Sequence, residues 1–209
     1  MGYSLELCLF PMQLSRERQF SGLYCLVAIE ELLLKTKIFP GRISKEGRVA
    51  SIHIAPGAAV AMSTVEQVRA VAAKGLEGDR YFLGLGTFWK PKPDFEVTLI
   101  EIEALEALER DYGVALVPAE ARRNIVTRGV ALNHLVGREF QVGGAMLRGL
   151  RLCEPCAHLE RLTHRDVIRG LTHRGGLRAQ ILIGGTIKVG DRVAQVAPQA
   201  TSESSTSGF

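Results

Sequence analysis

Arg138-Glu139-Phe140-Gln141-Val142-Gly143-Gly144-Ala145-Met146-Leu147-Arg148-Gly149-Leu150-Arg151-Leu152-Cys153 decides the fold class of this chain. A short strand-like run meets two glycines, which allow a tight reversal, and a second apolar run follows, so the stretch reads as a β-hairpin. The apolar parity changes between Ala145, Leu147 and Leu150, Leu152, which predicts a bulge near Gly149. Such a bulge re-aims the end of the strand, where Cys153 sits.

The same grammar of short strands and glycine turns extends in both directions. Downstream, Gln180-Ile181-Leu182-Ile183, Gly184-Gly185, Thr186 to Val193 and Ala194-Gln195-Val196 read as a final run of strands with tight turns. Upstream, Asn124 to Thr127 and Glu96 to Leu99 are short and strand-like. Arg48 to Ala55 alternates and stops at Pro56-Gly57, with His53 a strand residue before it is a ligand. Periodicity leaves Val65 to Ala73 open between strand and short helix. The clearest helix puts Ile102, Leu105, Leu108 and Tyr112 on one face, with Glu101, Glu103, Glu106 and Glu109 around the others, and Gly113 stops it. Those glutamates read as a solvated helix face. His158 to Thr172 reads as one or two short helices. The expectation is a mainly β fold, a barrel with a few helical inserts.

With 209 residues, 46% apolar and 23% charged, the chain has the size and composition for one sizeable core. The net charge of +4 comes mostly from arginines, which suit anions held in fixed geometry better than a diffuse nucleic-acid footprint. No nucleic-acid partner is expected. The early apolar run from Leu23 to Ile29 is cut by Glu30 and Glu31 and falls short of the ~20 residues of a membrane span, and no signal peptide is visible. Cysteines at 8, 25, 153 and 156 do not make a secreted disulfide framework, so a reducing cytoplasmic setting is expected. Residues 1–46, including a short helix over 23–34, read as a weakly ordered N-terminal extension. Residues 47–196 form the patterned domain and 197–209 a disordered tail.

Three stretches carry chemistry. In Lys74-Gly75-Leu76-Glu77-Gly78-Asp79-Arg80-Tyr81 two glycines permit a tight backbone that can offer N–H groups and a guanidinium to an anion. The plain alternative is a turn in which Asp79 bonds the local backbone. Arg122-Arg123-Asn124-Ile125-Val126-Thr127-Arg128-Gly129 is a cationic, amide-bearing turn, and Arg151-Leu152-Cys153-Glu154-Pro155-Cys156-Ala157-His158 places a thiol pair at a strand end. Together they suit a large anionic ligand held beside a sulfur nucleophile or metal ligand.

Gly78-Asp79-Arg80-Tyr81, Arg123 to Gly129, the Pro155-Cys156 step and Gly184-Gly185-Thr186-Ile187-Lys188-Val189-Gly190-Asp191 resemble, in order and spacing, the MOSC domain, the C-terminal domain of molybdenum-cofactor sulfurases. The resemblance covers about residues 47–196. It implies a MOSC-type β-barrel that binds a molybdenum-pterin cofactor, with one cysteine thiolate on the metal. By motif that cysteine is Cys156, catalytic and metal-ligating. Arg80, Arg123, Asn124 and Arg128 would hold the cofactor's phosphate, and Asp79 and Cys153 belong to the same cofactor-binding set. Cys153, three residues earlier, departs from the family pattern. It leaves open a redox dithiol, half a zinc site completed by His158, His164 or His173, a sulfur relay, or a buried apolar residue.

The activity implied is reduction of N-hydroxylated small molecules with electrons from a separate reductase, because the chain shows no flavin or iron-sulfur motif. The alternative is a carrier that delivers a Cys156 persulfide or the bound pterin. A third reading is an anion-binding barrel with idle thiols. In fused sulfurases the domain follows a pyridoxal-phosphate-dependent one. No lysine here sits in a recognisable loop for that cofactor, so pyridoxal phosphate is a family association only.

Overall fold

The Gly143-Gly144 reversal joins β7 (Glu139–Val142) to β8 (Ala145–Leu152) in antiparallel register, Val142 opposite Ala145 and Glu139 opposite Arg148. This is a computed structural model, and it describes residues 46–196. The extension expected over 1–46 with its helix over 23–34, and the tail expected over 197–209, lie outside the described residues, except that the backbone of Glu46 opens a strand. Alternation brings Phe140, Val142, Ala145 and Leu147 to one buried face. The bulge falls where the parity changed: the pairing of β8 with β9 (Leu177–Ile183) slips between Gly149 and Arg151. A Cβ on Gly149 would stand 2.2 Å from the carbonyl oxygen of Leu135, so glycine is what lets that segment cross β8.

Seven strands close into a barrel. Their order is β11 (Arg192–Gln195), β7, β8, β9, β5 (Val97–Glu101), β6 (Ile125–Arg128) and β1 (Glu46–Ile54), and β1 returns to β11. β1 serves three partners along its length: β11 at Glu46 to Arg48, β6 at Arg48 to Ile52, and β2 (Ser63–Val65) at Ile52 to Ile54. A register shift between Val49 and Ser51 lets Val49 and Ile52, of opposite parity in the sequence, both reach the core. β3 (Gln67–Val71), β4 (Gly75–Leu76) and β10 (Gly185–Lys188) make a separate small sheet, so the stretch from Val65 to Ala73 resolves as strand.

β5 and β6 are parallel, and a parallel pair needs a crossover, which contains α1 (Ile102–Tyr112). Alternation then divides these strands between two cores. Leu99 and Ile125 enter the barrel, while Ile100 and Val126 pack outside it against Leu105 and Leu108 of α1, Leu159 of α2 (Ala157–Leu162) and Leu171 of α3 (Val167–Leu171). α1 stops where Gly113 takes a φ of 66°.

The helix glutamates do more than face solvent. Glu101 accepts the Leu132 N–H at 2.6 Å, Glu103 accepts the Gly129 N–H at 2.9 Å, and Glu106 pairs with Arg128, so they brace the loop after β6. Among the described residues no helix is long and apolar enough to cross a membrane.

Candidate functional site

Leu152 at the end of β8 pairs with Leu177 at the start of β9, so the segments beyond them emerge side by side. The Cys153 N–H donates to the Gly176 carbonyl at 2.7 Å. Gly176 has a φ of 111°, and a Cβ there would stand 2.0 Å from the Leu99 carbonyl oxygen, so glycine alone lets the chain enter β9 this close to β5. Next to this junction Arg80, Arg122, Arg123 and Arg178 line a cavity with Cys153 and Cys156. Its volume is about 70 Å³, against the ~300–1,000 Å³ of sites that enclose a whole small molecule. It has room for an anionic group and leaves the rest of a larger ligand on the open side.

The arginines of this wall differ in what they already hold. Arg123 is buried and donates to three carbonyls: Gly175 from Nε at 2.9 Å, Ala121 from Nη1 at 3.1 Å and Cys153 from Nη2 at 2.9 Å. Asn124 is equally committed, its Oδ1 accepting from the Thr98 N–H and hydroxyl and its Nδ2 donating to the His53 carbonyl. These two build the wall.

Arg80 donates from Nη1 to Asp79 at 3.1 Å and from Nη2 to the Arg122 carbonyl at 3.3 Å. Asp79 is buried and also accepts the backbone N–H groups of Ala55 and Tyr81, so it performs the local turn role and holds Arg80 in place. Arg122 is half-buried, and its Nη1 donates to the Val60 carbonyl at 2.9 Å. Burial, and then the positive charge of Arg80, lower its pKa from the ordinary arginine value. Two cations crowded in this way favour an anion between them.

Arg178 donates from Nη1 to the Asp94 carbonyl at 3.1 Å and stacks over Phe95, yet its Nε is buried with no partner among the described residues. A buried donor without an acceptor is costly, and this one belongs to a side chain that lines the cavity. Glu154 puts one carboxylate in the cavity wall and holds His173 through its backbone N–H and ring.

Cys156 is exposed and Cys153 buried, and both are free thiols. Cys156 is in extended conformation just before α2. His158 also lines the cavity and meets Phe88 edge-on at 5.5 Å. Among the described residues no three His, Cys, Asp or Glu side chains gather as a metal-binding group, so the half zinc site has no completing pair.

The structure therefore brings Arg80, Arg123, Cys153 and Cys156 to the cavity, with Asp79 and Asn124 behind the wall. It does not bring Arg128. Four residues of strand beyond Asn124 carry it about 13 Å along β6, where it is exposed and paired with Glu106. Arg178, by contrast, was missed, because at a strand position between Leu177 and Ala179 it reads as an ordinary outward-facing polar residue. Arg122 was visible as part of the cationic turn but indistinguishable from its neighbour.

A family model for the MOSC domain matches residues 89–194. Among solved structures the fold is similar to the YuaD protein of Bacillus subtilis, with a TM-score of 0.60 and 15% identity over 71% of this chain and 94% of that one. It is also similar to YiiM from Geobacillus stearothermophilus, with a TM-score of 0.55 and 16% identity over 72% and 75%. YiiM from Escherichia coli gives a TM-score of 0.53 and 17% identity over 72% and 70%. No curated protein matches. At such identities the likeness establishes the fold.

Proposed function

The chain belongs to the MOSC domain family, and from that membership we propose that it holds a molybdenum-pterin cofactor at the Cys156 cavity and reduces N-hydroxylated small molecules, with a separate reductase as electron donor. One observation carries this reading. An exposed thiol stands at a cavity walled by four guanidinium groups, one of which has a buried nitrogen without a partner.

The residues present fit such a group. Arg80, Arg122 and Arg178 offer charge-assisted donors to its anionic end, and Cys156 offers a thiolate to a metal that takes soft ligands. Arg123, Asn124 and Asp79 keep that wall rigid, as a site that must hold its ligand in fixed geometry requires. When bound, the cofactor supplies the two-electron redox centre for cleaving an N–O bond. The overall change consumes two electrons and two protons and leaves an amine and water. The chain's own part is to bind, orient and leave the substrate side open, and Cys156 and Glu154 are exposed there.

Molybdenum and pterin analysis of the protein purified from cells that make the cofactor, beside its Cys156→Ser variant, tests this. The wild type should carry molybdenum close to stoichiometric with the chain and the variant much less. Equal and negligible metal in both overturns it. The exposure of the same thiol also suits a sulfur carrier, which metal-free protein bearing a persulfide on Cys156 would favour.

A further inference from the structure

Beside the thiol cavity lies a larger cleft of about 420 Å³, within the ~300–1,000 Å³ usual for small-molecule sites. The two share Tyr81. Its wall combines aromatic rings and lysines. Phe82, Phe95 and Trp89 supply faces, and Lys74, Lys90 and Lys92 supply charge.

Local chemistry fixes both sets. The Trp89 N–H donates to the Gly86 carbonyl at 3.0 Å, and the ring lies over Gly84, whose φ of 74° and missing Cβ leave space for it. The ring nevertheless stays 42% exposed. Lys74 places its ammonium 5.6 Å from the centre of the Phe82 ring. The Lys92 N–H donates to the Lys90 carbonyl at 2.8 Å across Pro91, a three-residue turn that holds the backbone between the two lysines.

Among the described residues none of these lysines forms an ion pair. The carboxylate in the wall, Glu96, is buried and accepts the Ile181 N–H at 2.8 Å, so it is bound to β9 and not to the lysines.

Three ammonium groups on a concave surface favour an anion such as a phosphate, which lysine meets as a point charge. The exposed indole of Trp89 favours a planar ring, as aromatic side chains do when they stack on bases in nucleic-acid sites. A phosphate alone leaves the Trp89 indole bare, and a neutral ring leaves the charges bare. We propose that this cleft, formed by Trp89, Phe82 and the Lys90-Pro91-Lys92 turn, binds an aromatic ring that carries a phosphate, the chemistry of a nucleoside monophosphate. The assignment stands apart from the molybdenum reading and needs neither thiol.

Trp89 is the single tryptophan of the chain, so intrinsic fluorescence reports on this cleft directly. Full-length protein is titrated with AMP, adenosine and inorganic phosphate. AMP gives a saturable change with a midpoint about tenfold or more below that of either half, which corresponds to about 1.4 kcal/mol. The double substitution Lys90→Glu with Lys92→Glu raises the AMP midpoint about tenfold or more and leaves the melting temperature in place. The proposal is overturned by the absence of a saturable AMP response, by phosphate or adenosine alone matching AMP, or by an unchanged midpoint in the double variant. Should that variant not fold, the three-ligand comparison on the wild type decides.

Discussion

Arg123 directs three donors at the carbonyls of Gly175, Ala121 and Cys153, whereas Arg122, one residue earlier, is half-buried beside Arg80 and reaches a single loop carbonyl. The same residue type at adjacent positions thus serves two purposes. The inner region, Arg123, Asn124 and Asp79, ties β5, β6 and the loops around them together, with every nitrogen of the Arg123 guanidinium and both oxygens of the Asp79 carboxylate engaged in the fold. The outer region, Arg80, Arg122, Arg178 and Cys156, keeps donors and a thiol turned toward the cavity. The difference teaches that a cationic motif holds both the frame of an anion site and its ligating groups, and that removing one from each region should separate stability from binding.

Arg123→Ala should show the largest effect. It leaves three carbonyls without their donor in a buried setting, and the loss expected is about 3–5 kcal/mol of unfolding free energy. Chemical denaturation measures it, and a loss below about 1 kcal/mol would remove the distinction between the regions. Arg178→Met is the opposite case. It keeps an apolar stem against Phe95 and removes both the unpartnered buried Nε and one part-buried bond to the Asp94 carbonyl, so the two changes offset and stability should move by less than about 1 kcal/mol. Its cost should fall instead on retention of an anionic ligand, read as pterin or phosphate lost on gel filtration relative to wild type. Cys156→Ser, at an exposed position, should change unfolding free energy by no more than about 0.5 kcal/mol. Thermal melting of the variant checks that any loss of metal is not a loss of fold.

Much of the fold was legible in the sequence because strand alternation and glycine turns act locally. The Gly143-Gly144 hairpin, the bulge at Gly149, the helix over Ile102–Tyr112 and its stop at Gly113 all follow from spacing. What spacing hides is which side of a wall a residue faces. Arg128 shares a motif with Arg123, but β6 carries it to the far end of the strand, where Glu106 meets it. Arg178 comes to the cavity only because β9 starts against β5 at Gly176, a long-range contact with no local signature. Glu101 at the end of β5 and Glu103 in α1 read as solvated from spacing alone because their partners, the N–H groups of Leu132 and Gly129, lie 31 and 26 residues away along the chain.

A change that depends on pH tests the inner region in a second way. His53 belongs to it: its backbone N–H donates to the Asn124 carbonyl at 2.7 Å, and its carbonyl accepts Asn124 Nδ2. The ring is buried between the hydroxyls of Ser51, at 2.8 Å from Nε2, and Thr64, at 3.1 Å from Nδ1. Hydroxyls donate or accept, so either neutral tautomer is satisfied, while burial lowers the pKa below the ordinary 6.5. The unfolded chain takes up this proton near pH ~6.5 and the folded chain only at lower pH. The unfolded state therefore binds more protons in that window, and the contribution of His53 is whole above it and lost as pH falls through it. Glu96 and Glu101, whose pKa values burial raises, act in the opposite sense, favouring the fold at low pH and losing that advantage as pH rises. A melting curve of the wild type alone mixes these effects, and subtraction separates them. His53→Gln keeps an amide donor and acceptor but cannot take a proton. It should be less stable than wild type by about 1 kcal/mol at pH 8, and the gap should narrow as pH falls toward 5. A gap that stays constant or widens on acidification would mean that the ring is not held neutral beside Asn124, and that the inner region is less closed than its hydrogen bonds indicate.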